Sequence, residues 1–389
     1  MRQHLFLTQD YAPDLGGMAR RHVELCRRFP HGSTLVSTVA SPAAAGFDAV
    51  EPYVIARERF TFPQAKIFTN QVRWAAHLVR LVDRGVGVVH LGNIRPCGYA
   101  VMMARRMRHF PYVVYVNGGD LLREERKVGE QGLKRWSARD ILGQARGIVA
   151  NSGWTADLAR RVMRSSGVRT LPEVAAIDLG TDPAHFHPGR DRGTLRRQLG
   201  IGDAPLLVTI ARLVPHKGQD TVIDALPHLD PAVHYLVVGD GEFRAAFEAR
   251  AAERGVAGRV HFLGAVSDEI VAEAYATASV YVGMSRLDHG INVEGFGISF
   301  VEASASGVPV VAGDSGGVRS AVRDGETGLV ITPDDAGLLA STVRGLLSND
   351  ARRRAMGAAG RRAVEAHYNW DRVARETLAF VGRVTGEAR

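Results

Sequence analysis

The stretch EGFGISFVEASASGVPVV, residues 294–311, decides how this chain folds. Gly295 and Gly297 predict a tight loop that opens a helix, and Gly307 ends this helix just before a β-branched strand. Helices that alternate with continuous apolar strands are typical of a parallel sheet covered on both faces. The same alternation continues through most of the sequence on both sides of this stretch.

Eleven strands are predicted in this way, at residues 5–8, 34–39, 86–91, 112–116, 148–151, 206–211, 234–238, 260–263, 280–282, 308–311 and 329–331. Turn-forming residues dominate between about 180 and 195, which places a domain break there. We therefore predict an α/β protein of two doubly wound, Rossmann-like domains, residues 1–185 and 195–368. Residues 369–389 are predicted to form a C-terminal helix that packs back on the first domain.

The composition is that of an ordinary globular protein. An apolar fraction of 46% and a charged fraction of 23% exclude a disordered chain, and no apolar run is long enough to span a bilayer. The first ten residues do not resemble a secretory signal, so a cytoplasmic location is predicted. Cys26 and Cys97 have no disulfide or zinc pattern, and we interpret both as buried apolar residues.

The positive charge is concentrated in the first half of the chain. Residues 1–190 carry 27 Lys and Arg against 16 Asp and Glu, a net +11, whereas residues 191–389 carry 22 against 25, a net −3. Such a field attracts anionic partners, although a solubility surface explains it as well. No nucleic-acid-binding module is recognisable, so a nucleic-acid partner is not predicted.

A peripheral contact with the inner face of an anionic membrane is a hypothesis for this basic half. The stretch Phe60 to Leu81 mixes aromatic and basic residues, and an amphipathic core helix is the alternative reading of Trp74 and Leu78. The further basic residues proposed for this surface are Arg20, Arg21, Arg27, Arg28, Arg105, Arg106 and Arg108.

Candidate binding residues follow the predicted strands, because ligands bind at the carboxyl ends of the strands in an open parallel sheet. Gly16 and Gly17 open a helix after the first strand and would let backbone N–H groups approach an anion, unless they form only a tight turn. Arg212 and Lys217 follow residues 206–211 and would clamp a diphosphate, unless they are a solvated pair. Gly239 marks a second glycine turn at the same edge.

Glu294 and Glu302 form the strongest candidate site. Two carboxylates presented to one cleft suit a polyhydroxylated ligand, since each accepts hydrogen bonds from vicinal hydroxyls. Metal binding is disfavoured, because the chain has no Asp-x-Asp, and His185 and His187 lack an obvious third ligand.

These motifs resemble those of a known enzyme family. Arg212 with Lys217-Gly218, Glu294-x7-Glu302 around Gly-Phe-Gly, and the run Ala-Ser-Gly-Val-Pro-Val-Val-Ala are similar to the retaining glycosyltransferases of the GT-B fold, glycosyltransferase family 4. The likeness covers residues 200–335 and is fainter in the first half. It implies two domains that face each other across a cleft, a nucleotide diphosphate sugar as donor, and no cofactor or metal.

The resemblance also implies roles for individual residues. Arg212 and Lys217 would hold the diphosphate, Glu302 the ribose hydroxyls and Glu294 the donor sugar. Gly16 and Gly17 would approach the donor phosphates or the acceptor. Sugar and phosphate would meet the backbone N–H groups around Phe296, Gly297 and Ile298, and Gly295 is a further substrate-binding residue. The base would lie near the turn Gly264-Ala265-Val266.

One position departs from the family pattern. The family usually has a His after the strand at 112–116, whereas this chain has Asn117, which cannot carry a positive charge. The prediction is a retaining, metal-independent transfer of a hexose or related sugar from a UDP- or GDP-linked donor to an acceptor hydroxyl on a lipid-linked molecule, a glycan or a secondary metabolite. The alternatives are an epimerase or phosphorylase of the same fold and a sugar-nucleotide binding protein without transfer.

Overall fold

The computed structural model describes residues 2–13 and 16–386. Asp14 and Leu15, in the loop predicted ahead of Gly16, lie outside the described residues. The residues group into two compact units, Met1–Asp178 with Trp370–Arg389, and Leu179–Asn369. The segment predicted as the domain break, 180–195, therefore packs with the second unit.

The first unit is built on a parallel sheet of seven strands. They are β1 (Gln3–Leu7), β2 (Thr34–Thr38), β3 (Val54–Arg57), β4 (Val86–Leu91), β5 (Tyr112–Val116), β6 (Gly147–Ala150) and β7 (Glu173–Ala176). Their order in the sheet is β3-β2-β1-β4-β5-β6-β7. Leu5 on central β1 pairs with Leu35 on one side and Val89 on the other. Residues 4–7 are all buried, so both faces of this strand are covered.

Helices connect these strands and cover the sheet. They are α1 (Gly17–Arg28), α2 (Ala44–Asp48), α3 (Phe68–Asp83), α4 (Cys97–Ala104), α5 (Gly118–Glu130), α6 (Gly132–Gly143) and α7 (Gly153–Ser165). Parallel neighbours require such crossover helices, which explains the alternation in the sequence. Trp74 and Leu78 of α3 lie in the core with Leu5 and Cys97.

The second unit repeats the plan with six parallel strands. They are β8 (Leu206–Ile210), β9 (His234–Val238), β10 (Val260–Gly264), β11 (Val280–Gly283), β12 (Val310–Gly313) and β13 (Gly328–Ile331), in the order β10-β9-β8-β11-β12-β13. Its helices are α8 (Thr194–Leu199), α9 (Gln219–Ala225), α10 (Arg244–Glu253), α11 (Asp268–Thr277), α12 (Ile298–Ala305), α13 (Val318–Ala321), α14 (Ala336–Leu347) and α15 (Asp350–Ala366).

The last helix, α16 (Trp370–Thr385), belongs to the first unit, as predicted. The Arg28 guanidinium of α1 donates to Asp371 at 2.7 Å. A Cβ atom on Gly147 of β6 would lie only 2.6 Å from the Cζ atom of Phe380, so this ring of α16 packs directly against the Gly147 backbone. Among the described residues, no helix has both the length and the hydrophobicity needed to cross a lipid bilayer.

All eleven predicted strands are present, within about two residues at their ends. Strands β3 and β7, which are the two edges of the first sheet, were not predicted. Edge strands are only partly covered, and Val54 of β3 is 66% exposed. Neither segment therefore has the continuous apolar run that marks a buried strand.

Candidate functional site

Lys217 is held at the carboxyl end of β8 by a short turn. Residues Pro215–Lys217 form one 3₁₀ turn that ends at Gly218 with φ of +72°. A Cβ on Gly218 would lie 2.0 Å from the Met284 carbonyl oxygen, so only glycine fits there. The turn directs the Lys217 ammonium to Glu294, and its Nζ donates to Oε2 at 2.6 Å.

This ion pair is largely shielded from solvent, with side-chain exposures of 22% for Lys217 and 14% for Glu294. Burial alone would raise the pKa of Glu294, but the nearby Lys217 ammonium outweighs it and holds that pKa below its usual value. Glu294 is therefore a carboxylate at neutral pH. Burial and the same ammonium lower the pKa of His216 to about 4, so this imidazole is neutral.

Arg212 stands at the same edge but is not engaged. Its side chain is exposed, and its guanidinium makes no hydrogen bond or ion pair with any residue that the structure describes. Its charge contributes to the low pKa of His216, as does that of Lys217. The structure thus gathers Arg212, Lys217 and Glu294 around His216, and leaves one guanidinium available to an anion.

Glu302 is placed by α12, which begins after Gly297. Gly297 has φ of +98°, and a Cβ there would lie 2.3 Å from the Phe300 ring. Glu302 is 6% exposed and accepts a hydrogen bond from the Tyr275 hydroxyl at 2.7 Å. Burial raises the pKa of Tyr281, and the charges of Glu302 and Glu294 add to that shift, so this phenol lies near both carboxylates.

The backbone around α12 offers fewer donors than the sequence suggested. The Phe296 ring is buried and its N–H already hydrogen-bonds to the Glu294 carboxylate. Of the other residues predicted to bind sugar and phosphate here, Gly295 and Ile298 are half-buried, and Gly297 lies in the turn between them. One backbone N–H group of this turn, that of Phe296, is therefore already used to position the Glu294 carboxylate.

Gly239 and Val266 lie at the carboxyl ends of the two strands beyond β8. The Gly239 N–H donates to the Gly264 carbonyl oxygen at 2.8 Å, which ties the ends of β9 and β10 together. Val266 follows β10 and is half-buried. Since β9 is the sheet neighbour of β8, both residues lie at the same edge of the sheet as Lys217.

The remaining predicted residues belong to the first unit. Gly16 precedes α1 and Gly17 begins it. Asn117 precedes α5, and its Oδ1 accepts from Asn151 Nδ2 at 3.2 Å. The Asn117 Nδ2 is buried and has no partner among residues 2–13 and 16–386.

Asn151 was not predicted, although a signal for it existed. It directly follows β6, next to β5 in the sheet, so the rule that drew attention to Asn117 applies to it equally. Its Oδ1 is also buried without a partner in the described part of the chain. The pair therefore presents both an amide donor and an amide acceptor that the fold leaves unsatisfied.

The first unit also contains a cavity of about 440 Å³, which was not predicted from the sequence; we call it the first-unit cavity. Five basic and three acidic side chains are among its lining residues. They are Lys66, Arg95, Arg123, Lys127 and Lys134, and Asp10, Asp120 and Glu124. Gln9, Met18, Phe62, Gln71, Ile94, Pro96 and Tyr99 complete the lining.

Part of the predicted membrane surface lies in the interior. Trp74, Leu78 and Phe60 are at most 4% exposed, which confirms the alternative reading of Trp74 and Leu78 as core residues. Arg21 is 2% exposed, so its prediction as a membrane-facing cation is wrong. Its guanidinium lies 4.8 Å from the Tyr115 ring centre, and burial lowers its pKa to about 10.

Within the described residues, no group of three or more His, Cys, Asp and Glu side chains is arranged to hold a metal ion. Lys217, Arg212 and the pair Asn117 and Asn151 are instead the groups that could contact an anionic or hydroxylated ligand.

Comparison with solved structures supports the fold. Anabaena HepE in complex with UDP and glucose superposes with a TM-score of 0.80 at 21% identity, covering 98% of this chain and all of that one. A sucrose-phosphate synthase from Thermosynechococcus elongatus gives a TM-score of 0.82 at 22% identity, over the full length of both chains. At such identities the likeness shows the fold alone, two Rossmann-like domains of the GT-B type.

Sequence comparison identifies closer relatives. A GDP-mannose-dependent alpha-(1-6)-phosphatidylinositol monomannoside mannosyltransferase of Mycobacterium tuberculosis is 30% identical over 98% of both chains. A phosphatidyl-myo-inositol mannosyltransferase of Mycobacterium leprae is 37% identical over 95% of this chain and 91% of that protein. The family model for glycosyl transferases group 1 matches residues 191–363, and that for Glycosyltransferase Family 4 matches residues 15–173. The chain belongs to glycosyltransferase family 4.

Proposed function

We propose that this protein is a retaining mannosyltransferase that uses GDP-mannose as donor and needs no metal ion. The names of its relatives supply the donor, since those from M. tuberculosis and Corynebacterium glutamicum are both GDP-mannose-dependent mannosyltransferases. The observation that carries the mechanism is the shielded Lys217–Glu294 pair beside the unengaged Arg212. The proposed acceptor group is a hydroxyl.

Lys217 and Arg212 would bind the diphosphate of the donor. An ammonium has three N–H donors, so Lys217 can keep Glu294 as a partner and still contact a phosphate oxygen. The exposed Arg212 guanidinium would add a planar fork that suits two phosphate oxygens. Fixed cations in a shielded site stabilise the charge that develops on the leaving phosphate, which is the role a magnesium ion fills in other transferases.

The carboxylates would orient the carbohydrate portions of the donor. Glu294 is ionised and held by Lys217, so it can accept hydrogen bonds from sugar hydroxyls without losing its position. The Tyr275 hydroxyl donates to the Glu302 carboxylate at 2.7 Å and orients it, and carboxylate oxygens are suitable acceptors for ribose hydroxyls.

The transfer step would keep the anomeric configuration. The bond between the anomeric carbon and the phosphate oxygen breaks while the acceptor hydroxyl oxygen bonds to the same carbon from the same face. The acceptor proton passes to the departing phosphate oxygen, so no separate base is required. His216, neutral because of its low pKa, does not add a third positive charge to the site at neutral pH.

The test is nucleoside diphosphate release without added acceptor, followed by mass spectrometry. GDP-mannose, GDP-glucose and UDP-glucose are compared, with and without EDTA. We expect the fastest release from GDP-mannose, unchanged by EDTA, and its loss in Lys217→Ala but not in Arg354→Ala, an exposed control in the same unit. NMR of a transfer product gives the anomeric configuration. An inverted product, loss with EDTA, or release from UDP-glucose alone would contradict the proposal.

We further propose a peripheral contact between the first unit and an anionic membrane. Four apolar side chains between β3 and the middle of α3 are exposed by 41–69% and are flanked by the exposed Lys66 and Arg73. They are Phe62, Ile67, Phe68 and Val72. Apolar side chains next to cations favour binding at a lipid headgroup surface.

A further inference from the structure

Arg21 carries a buried charge that no described residue satisfies by a hydrogen bond. Its side chain is 2% exposed, and its Nε, Nη1 and Nη2 atoms have no hydrogen-bond partner in the described part of the chain. Burial lowers its pKa only to about 10, so the guanidinium is positively charged at neutral pH. A buried charge without such partners lowers the stability of a protein, and an apolar side chain of similar size is often more favourable there. Stability therefore does not explain this arginine.

The Arg21 guanidinium has a fixed position on an aromatic ring. It extends from α1, and its Cζ atom is 4.8 Å from the centre of the Tyr115 ring. The Tyr115 hydroxyl is 2.8 Å from Nδ1 of His90, and Nε2 of His90 is 2.9 Å from Nδ1 of His4. Burial raises the pKa of Tyr115, so this phenol is neutral. The ring holds the cation by a cation–π contact and does not neutralise it.

The other titratable groups around Arg21 do not cancel its charge either. Burial lowers the pKa of His90 on β4 and that of His22 on α1, so both imidazoles are neutral at neutral pH. Asp120 on α5 is near enough to raise the pKa of Arg21. Its carboxylate, however, accepts a hydrogen bond from Arg123 at 2.7 Å. The charge of Arg21 is therefore felt by its surroundings.

This charge lies on the same face of the first sheet as Asn117. Side chains two residues apart on a strand point to one face and are about 7 Å apart. The extended backbone of β5 continues to Asn117, with φ of −133° and ψ of 159°, so Asn117 lies on the Tyr115 side. Arg21 is one turn after Gly17, and a helical side chain leans toward the start of its helix, which in α1 is the carboxyl end of the sheet.

The edge in front of this charge offers neutral amides. Asn151 Nδ2 donates to Asn117 Oδ1 at 3.2 Å, whereas Asn117 Nδ2 and Asn151 Oδ1 have no partner within residues 2–13 and 16–386. An amide binds by its dipole and adds no net charge. A cation about 10 Å behind these amides favours ligand oxygens that carry or gain negative charge, because a buried charge is screened only weakly.

We propose that Arg21 is a positioning residue for the transfer reaction: its buried charge gives the Asn117–Asn151 edge a positive potential that favours a ligand oxygen which becomes more negative in the transition state. Arg21 acts through space and does not contact the ligand. The proposal rests on the proposed function in that turnover is measured as sugar transfer, but the potential itself can be measured without any substrate.

The first measurement places a titratable reporter at the edge. Histidine is similar in size to asparagine and titrates near neutral pH, so Asn117→His introduces an imidazole whose pKa is measured by NMR. We expect this pKa to rise by about half a pH unit or more when Arg21→Met is added, because a nearby positive charge no longer opposes protonation. Arg27→Met removes an exposed charge from the same helix and should shift it by less than about 0.2 unit.

The second measurement is the turnover of whichever nucleotide sugar the release assay identifies. Arg21→Met should lower kcat about tenfold and change KM for the donor less than about twofold. The thermal midpoint should stay equal or rise, because an unsatisfied buried charge is removed. A residue with only a structural role would instead lower stability and kcat together. Arg27→Met should leave kcat within about twofold of the unsubstituted protein.

Returning a charge to the edge should restore activity. In the double variant Arg21→Met/Asn117→His, the introduced imidazole is protonated only below its pKa. We therefore expect part of the lost kcat to return at about pH 6 and none of it at about pH 8. Arg21→Lys keeps the charge at its original position and should retain most of the activity. If Arg21→Met does not fold, Arg21→Gln replaces it as the neutral variant.

Two results would overturn the proposal: a reporter pKa that does not change when Arg21 is neutralised, or equal loss of kcat in Arg21→Met and Arg27→Met. A shifted reporter pKa together with turnover of a donor other than GDP-mannose would support the role of Arg21 and refute the proposed donor. Turnover of GDP-mannose with an unshifted reporter pKa would support the donor and refute the role of Arg21.

Discussion

The two units balance their charges in different ways. At the carboxyl edge of the second sheet, Lys217 and Glu294 neutralise each other at 2.6 Å, and a single exposed guanidinium remains. In the first-unit cavity, Asp120 and Glu124 are paired with arginines, and the other charged lining residues are three lysines and Asp10. The charge of the Lys217–Glu294 pair is balanced within the protein, whereas the first-unit cavity keeps an excess of positive charge. The comparison teaches that the two regions, which share no residue, can be altered separately.

Removing Lys217 should have the largest effect. Lys217→Ala removes the cation that the proposed function places beside the leaving phosphate, and it leaves Glu294 unpaired in a shielded position. We expect kcat/KM for transfer to fall by a factor on the order of 10²–10³, about 3–4 kcal/mol. Steady-state kinetics measure this loss, with thermal melting as a control for folding. A loss below tenfold would contradict the proposed role of Lys217 in binding the diphosphate.

Lowering the pH should reduce the stability contributed by buried groups of the two units over different pH ranges. The pKa of His22, in the first unit, is lowered by burial and by Arg21 from 6.5 to about 3, so the unfolded state binds a proton that the folded state rejects as pH falls below 6.5. The pKa of Glu294 is also lower in the folded state than its value of about 4.5 in the unfolded state. The stability that this carboxylate contributes is therefore complete above pH 4.5 and is lost only as the pH falls through the folded-state pKa.

We therefore expect the protonation of His22 in the unfolded state to lower the free energy of unfolding by roughly 2–3 kcal/mol between pH 6.5 and 4.5. Denaturant unfolding as a function of pH should show a shallower decline for His22→Gln than for the unsubstituted protein, and no change in slope for the exposed control His31→Gln. Parallel curves for His22→Gln and the unsubstituted protein would refute this expectation.

Asn117→Ala tests whether the first unit takes part in turnover. It removes an amide whose Nδ2 has no partner in the described structure, so little stability should be lost. We expect kcat to fall about tenfold, about 1.4 kcal/mol, with donor affinity changed less than twofold in calorimetry. If kcat and donor affinity both stay constant, Asn117 has only a structural role.

The smallest effect is expected at the exposed apolar surface. Phe68 is 69% exposed, so Phe68→Ser removes an apolar side chain without opening the core. The affinity for anionic vesicles, measured by sedimentation, should fall about fivefold, which is roughly 1 kcal/mol of binding free energy. Val50→Ser, at another exposed position of the unit, serves as control. Equal binding by the two variants would exclude this surface as the membrane contact.

The sequence predicted what is local along the chain. Gly295 and Gly297 predicted the tight loop that opens α12, and the spacing of Glu294 and Glu302 around this loop indicated the second-unit site. The first-unit cavity could not be predicted in this way, because Gln9, Lys66, Arg95 and Lys127 come from separate crossovers. Only sheet order and helix packing bring such residues together. In the sequence, most of them are residue types that are typical of a solvent-exposed surface.

Arg21 shows a second limit. Its charge suggested a surface position, but α1 turns this side chain onto the Tyr115 ring. The helical period alone places residues 19, 22, 23 and 26 on the buried face, and a neighbouring arginine at the border of that face can point either way. The edge strands β3 and β7 were missed for a related reason, since partial exposure removes the apolar pattern.

The scarcity of lysine has a practical consequence for handling this protein. Amine-reactive reagents have four side-chain targets in the whole sequence, and each lies in one of the two sites described above. Coupling the protein to a carboxylated sensor surface, or labelling it with a succinimidyl dye, should therefore impair binding rather than leave it intact. Attachment through an engineered cysteine avoids this problem, because Cys26 and Cys97 are both buried.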